Sequence, residues 1–375
     1  MQLIASGFWH KLRDRLAIGI PALLALLPGQ RAAAAVLPEE RADTLYHLYD
    51  GGGQTVQGPA LLVRKNFAER VSVTGGYYVD RISGASIDVV TNASKYTEER
   101  TEYSAGAELL HHDTSLSVSY TDSDENDYQA RTLRLGVSQD LFQSRTTVAL
   151  GYSSGRDDVG RVHTPFSEKA NRDVYSLSVT QVINPTFLGN FAYEITADDG
   201  YLQNPYRSAR VQGGTVPEIY PGTRTGHALS ARLVKSWSES WSSRLEGRYY
   251  HDTWEVDAFN IGVGATHRLP RGWIVDASYR FYVQGAASFY SDDFDQPMNF
   301  MARDKELASF TGHTLGAKLT LPLARWESGH VLNGIDLSTA GYLMRLQYSD
   351  FTDVRDGGDY SFNAVIAQAF LTIRY

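Results

Sequence analysis

An all-β fold, a single antiparallel transmembrane barrel of about sixteen strands, is predicted by three features of this chain. Segments of about ten residues alternate apolar and polar side chains, as a strand between lipid and a polar lumen must. The links between them alternate short and long, and aromatic residues cluster near the segment ends.

The strands are expected at Ala42 to Asp50, Gly58 to Lys65, Arg70 to Ile82, Arg100 to His111, Thr114 to Asp122, Tyr128 to Gln139, Thr146 to Ser154 and Asp173 to Ile183. The series continues at Phe187 to Ala197, Thr225 to Lys235, Trp241 to His251, Val256 to His267, Trp273 to Gln284, Phe310 to Leu321, Ile335 to Tyr348 and Asp359 to Tyr375. The clearest apolar face is Trp273, Val275, Ala277, Tyr279, Phe281 and Val283. The last segment alternates less cleanly, because Ile366 and Phe370 fall on its lumen side.

Short links such as Asn66 to Glu69, His112-Asp113 and Ser236 to Ser240 fit periplasmic turns, and long ones such as Ser83 to Glu99, Gly155 to Arg172, Asp198 to Arg224 and Gly285 to Ser309 fit extracellular loops. Phe142, Phe187, Trp237, Trp241, Trp273, Trp326 and Tyr375 are expected in a periplasmic aromatic girdle. Tyr77, Tyr78, Tyr249, Tyr250, Trp254 and Tyr282 are expected in an outer one. A soluble sandwich would need a second bulky apolar face. Here the opposite face carries Ser72, Thr74, Ser117, Ser119, Arg134 and Lys318, which suits water.

Composition narrows the function classes. The 375 residues include 23 tyrosines, 33 glycines and no cysteine, with a formal charge of -8. Lack of cysteine excludes disulfides, thiolate metal sites and cysteine catalysis. A mildly acidic chain gives no support for nucleic-acid binding. At the amino terminus, Lys11, Arg13 and Arg15 precede an apolar run from Leu16 to Leu27, then Pro28, Gly29 and small residues from Ala32 to Ala35. That order describes a secretory signal peptide over residues 1–35, leaving a barrel over 36–375. Its apolar run of about twelve residues is too short to span a bilayer as a helix, which takes roughly 20.

Four segments carry a family resemblance: Tyr78 to Ser86, Tyr96 to Arg100, Tyr120 to Tyr128, and Gly151-Tyr152-Ser153 with Asp157-Asp158-Val159. On these the chain resembles the domain-of-unknown-function 3570 family of Gram-negative outer-membrane proteins. The resemblance implies a barrel, an outer-membrane address and an extracytoplasmic redox setting, and brings no established activity.

Two constellations stand out. The loop Asp122-Ser123-Asp124-Glu125-Asn126-Asp127 places oxygen ligands at alternate positions, so Asp122, Asp124, Asn126 and Asp127 are candidates for Ca²⁺ or Mg²⁺. It is no EF-hand, because Asp127 stands at the turn glycine and Leu133 at the bidentate glutamate. Solvated charge on an outer loop, or divalent ions bridging lipopolysaccharide, are the competing readings. At another edge, Asp80, Arg81, Ser83, Glu99, Arg100 and Glu102 concentrate charge, and a lumenal Asp80–Arg100 pair would form a constriction. The competing reading is that they hold the loop's rim.

No Gly-rich phosphate loop, HExxH or paired metal-ligand motif occurs, and His163, His227 and His313 adjoin no serine motif. No cofactor is evident beyond such cations, and an enzyme is not expected. These observations lead to open or gated passage of a small solute or ion across the outer membrane. The alternatives are a plugged barrel docking a periplasmic partner and, third, a rim-sited hydrolase. Outer-membrane lipid and lipopolysaccharide are the expected surroundings.

Overall fold

A chain whose apolar residues recur every second position cannot bury them as a helix, and with a polar opposite face it must close into a barrel to leave no backbone unpaired in lipid. The computed structural model shows that closure. It describes residues 36–84, 96–326 and 331–375; the expected signal peptide at 1–35 lies outside them.

Sixteen strands form one closed antiparallel barrel. In chain order they begin with β1 (Arg41–Gly51), β2 (Gln54–Phe67), β3 (Val71–Gly84), β4 (Tyr96–His111), β5 (Thr114–Asp124), β6 (Tyr128–Leu141), β7 (Thr146–Gly160), β8 (Ser167–Asn184) and β9 (Phe187–Gly200). A small hairpin, β10 (Ser208–Val211) and β11 (Gly214–Pro217), stands apart in the loop after β9. The wall resumes with β12 (Thr223–Ser236), β13 (Trp241–Asp252), β14 (Asp257–Arg268), β15 (Ile274–Gln284), β16 (Phe310–Arg325), β17 (Gly334–Thr352) and β18 (Asp359–Arg374). β1 pairs with β18 from Arg41↔Arg374 to Gly51↔Ala364, which seals the sheet.

Every expected segment is a strand, but most are longer than the alternation indicated, chiefly at the outer end. β7 runs to Gly160 and β8 starts at Ser167, so the long link read at Gly155 to Arg172 shrinks to 161–166. The reason is physical. Above the lipid band the outward positions become polar, as at Arg156, Asp158, Lys169 and Asn171, so alternation fades while the backbone ladder continues through Arg156↔Asn171 and Asp158↔Lys169.

The outward face carries exposed apolar side chains at mid-depth, among them Leu116, Val118, Leu135, Leu177, Ile261 and Leu343. Exposed Phe142, Trp237, Trp241 and Trp273 sit by the short turns. Four of the six residues expected in the outer girdle are otherwise placed. Tyr77 and Tyr249 face outward and are exposed, whereas Tyr78, Tyr250 and Tyr282 point inward and Trp254 is buried under the loops. Adjacent residues of one strand cannot share a face, so Tyr77-Tyr78 and Tyr249-Tyr250 had to divide.

Candidate functional site: a lumen in two tiers

Inward residues differ sharply along the barrel axis. In the outer third, every strand except β8 contributes at least one buried inward residue, including His47, Val56, Asp80, Arg100, Asp252 and Tyr348. Toward the end with the short turns most inward positions are partly accessible, and Ser117 is exposed. The outer third is filled, and the lower lumen is lined by groups that water reaches.

The outer tier is held by buried charge. Asp80 on β3 accepts from Arg100 on β4 at 2.6 Å and meets His47 on β1 at 2.7 Å, while the Tyr78 ring stacks on His47 at 5.0 Å. Gly58 on β2 makes this possible, because a Cβ there would stand 1.9 Å from the Val79 carbonyl oxygen. Across the barrel, Asp252 accepts from Arg224 Nε at 2.7 Å, from the Tyr250 hydroxyl at 2.7 Å and from the amides of Trp254 and Val256 at 2.9 and 3.1 Å. A carboxylate this buried is tolerable only because both oxygens are bonded.

Two loops, 201–222 and 285–309, lie over this tier and interlock. Ile219 and Met301 exchange both backbone hydrogen bonds, at 3.0 and 2.8 Å, and Phe294 does the same with Arg210 and Gln212 at 2.9 Å each. Tyr220, Trp254, Val256, Ala287, Phe289 and Leu307 form a common apolar core. Polar groups within it are matched: Glu218 accepts from the Arg303 amide at 2.7 Å, and Arg303 bonds Asp292 at 2.7 Å while lying over the Phe351 ring. The lid is tied to the wall where Tyr290 donates to the Asp350 carbonyl at 2.8 Å and Gln284 to that of Glu306 at 2.7 Å.

Below the lid the wall has two characters. From β9 through β13 to β15 it carries ion pairs, Arg244–Asp276 at 2.5 Å, Arg248–Glu194 at 3.0 Å and Arg232–Glu246 at 3.2 Å. From β4 to β8 small groups such as Ser104, Gly106, Ser119, Gly136, Gly151 and Ser176 outnumber charged ones like Glu108 and Arg134. Side chains therefore project least into the lumen from the small-residue side.

The sequence-predicted residues separate by face. Asp80, Arg100 and Glu102 point inward; Arg81, Ser83 and Glu99 point out, with Arg81 bonded to Glu99 at 2.9 Å on the exposed surface. The expectation that all six line a constriction is corrected by period two alone, since Asp80↔Arg100 and Arg81↔Glu99 are successive cross-strand pairs. The Asp80–Arg100 pair is packed within the filled tier. The acidic loop divides likewise. Asp122 faces out, 3.5 Å from Arg131, and Asp124 and Asn126 are exposed, so these three do not converge with Asp127. Asp127 instead meets Glu125 and Glu98, a glutamate from β4 that spacing within the loop could not reveal. Burial raises both loop acids: Asp127 is pushed up from the ordinary aspartate value, and Glu125 to about 7, Arg100 opposing the burial and Asp127 adding to it. Among the rim histidines, His227 bonds the Tyr193 hydroxyl and His313 that of Tyr279, both on the outward face.

Residues 163–334 match the model of a family described as "Protein of unknown function (DUF3570)". The four segments that first carried the resemblance all precede that span. No curated protein sequence matches the chain. Among solved structures, a "Bacterial polysaccharide outer membrane secretin" is similar with a TM-score of 0.51 at 11% identity, covering 90% of this chain and 100% of that one. The outer membrane protein opdK of Pseudomonas aeruginosa is similar with a TM-score of 0.40 at 8% identity, covering 90% and 100%. The "CymD monoaromatic hydrocarbon channel" follows with 0.43 at 10%, covering 90% and 89%. The first likeness shows the fold of an outer-membrane barrel.

Proposed function

From the premise that the chain belongs to the domain-of-unknown-function 3570 family, matched over residues 163–334, we propose a gated outer-membrane passage for a small polar solute. The barrel sits in the outer membrane with the two long loops outside, and the lower lumen opens to the periplasm. The observation that carries this reading is the contrast between the filled outer tier and the water-accessible polar wall beneath it. A permanently open pore would not bury its inward residues around nearly the whole circumference. A purely structural barrel would gain nothing from arginines and carboxylates at half-exposed inward positions. The paired charges of β9 to β15 present both signs, which suits a solute with polar groups more than a bare ion of one sign. Opening requires the loops 201–222 and 285–309 to part from each other or from the wall.

The test is conductance in a planar bilayer. The wild-type barrel is expected to stay silent or open briefly, and a variant with 286–307 replaced by a short Gly-Ser linker to give stable steps. Because the chain has no cysteine, the pair Ile219→Cys and Met301→Cys joins the loops specifically, and oxidation should abolish the brief openings. Stable steps of equal size in wild type and loop variant would overturn gating. Silence in both would favour a plugged platform for a periplasmic partner.

A further inference from the structure

We propose that Glu98, Glu125 and Asp127 form a binding site for one calcium ion at the outer rim, clasping β4, the β5–β6 turn and the loop that carries Tyr206. One carboxylate oxygen from each residue lies within 4.8 Å of the others. Two oxygens facing each other across a calcium ion stand about 4.8 Å apart, since each bond is about 2.4 Å.

The second observation is that these acids are buried and unsatisfied. Glu98, Glu125 and Asp127 are only 2%, 9% and 8% exposed. Both oxygens of Glu98, Oε2 of Glu125 and Oδ1 of Asp127 lack a hydrogen-bond partner. Buried carboxylate oxygens ordinarily find donors, and three acids sharing one site repel each other. The nearby Arg100 eases the charge of Glu125 only in part, being held by Asp80 at 2.6 Å and leaving these oxygens without a hydrogen bond. The Asn126 backbone amide lends Glu98 partial stabilisation without satisfying either carboxylate oxygen in good hydrogen-bond geometry. A hard cation supplies what is missing, and three carboxylates offer up to six oxygens, as calcium accepts.

The surroundings favour a structural ion. The Tyr206 hydroxyl donates to the other oxygen of Asp127 and accepts from the Val162 amide at 2.8 Å. The Asp127 carbonyl accepts from the Gly160 amide at 2.6 Å. Filling the site would therefore tie three outer loops together, whether or not the mouth opens, so the proposal stands independently of gating.

Terbium luminescence tests it on the refolded full-length barrel in phosphocholine detergent free of lipopolysaccharide. Terbium chloride should give one saturable site excited through Tyr206, displaced by calcium chloride. Glu98→Gln, Glu125→Gln and Asp127→Asn should each weaken binding tenfold or more, and Asp122→Asn with Asp124→Asn should leave it unchanged. Tyr206→Phe should dim the luminescence while calcium still raises the melting temperature. The neutral variants remove repulsion and should fold, which heat-modified gel mobility checks. Absence of a saturable site in the folded wild type would overturn the proposal. So would equal binding in the three neutral variants, or loss of binding in the Asp122 and Asp124 variant alone.

Discussion

The outer and lower tiers of this barrel are built by the same strands and the same alternation, yet one is packed and the other wet. On β3, Asp80 and Ile82 are buried while Thr74 and Gly76, inward on the same strand, are partly accessible. On β13, Asp252 is buried and Arg244 is not. The strand period decides only which side a residue faces. What lies across from it decides whether it is filled in, and here that is a pair of loops with their own apolar core.

The difference predicts unequal costs for similar mutations. Asp252→Ala strips Arg224 of its partner and orphans two amides in the outer tier, so it should cost about 3–5 kcal/mol. Glu246→Gln breaks a half-exposed pair with Arg232 and should cost no more than about 1 kcal/mol. Urea unfolding in lipid vesicles, followed by tryptophan fluorescence, compares the two. Equal losses would mean that the tiers are not energetically distinct.

Next in size is an effect on flow. Ser117 faces the lumen on the small-residue wall and is exposed, whereas neighbouring Leu116 faces lipid. Ser117→Trp in the loop-shortened barrel should cut conductance by roughly half, and Leu116→Trp should leave it unchanged. The opposite pattern would place the free path elsewhere.

The smallest expected effect is on pH dependence. Glu125 is pushed up to about 7 by burial, so the folded rim holds a proton that the unfolded chain releases above the ordinary value of 4.5. The folded state thus binds more protons between these values, and stability falls as pH rises through that window. In chelator, proteolytic nicking of the outer loops should be slower at pH 5 than at pH 8. Calcium should narrow the gap. Absence of a gap would show that Glu125 is in the same protonation state at both.

The barrel was legible in the sequence because lipid imposes a rule that acts residue by residue: one face apolar, one face not. All sixteen wall strands follow from it. The lid was not legible, since Tyr220, Trp254 and Phe289 meet through contacts between distant segments that leave no period. Loop hairpin β10–β11 was missed for the same reason, being four residues per strand with no lipid face. The acidic loop shows how the local rule misleads. Ligand spacing joined Asp122, Asp124, Asn126 and Asp127, but even positions on β5 face outward, leaving odd-numbered Glu125 and Asp127 to meet Glu98 inside. Asp80 and Arg100 could be paired beforehand because cross-strand partners follow from register, while their neighbours Arg81 and Glu99 were misassigned by treating a charged edge as a single surface.

The seam between β1 and β18 bears on how such a wall comes to exist at all. Thr372 donates to Asp43 at 2.6 Å across a separation of 329 residues, within a continuous ladder of paired backbones. Contacts so remote in sequence are reached late and slowly, because the intervening chain must be ordered before they repay its entropy. Until they form, both edge strands offer unpaired amides to any other chain. The first and last strands are thus the most hazardous parts of the nascent molecule, and a helper that shields one edge until the other arrives would set the pace of its assembly.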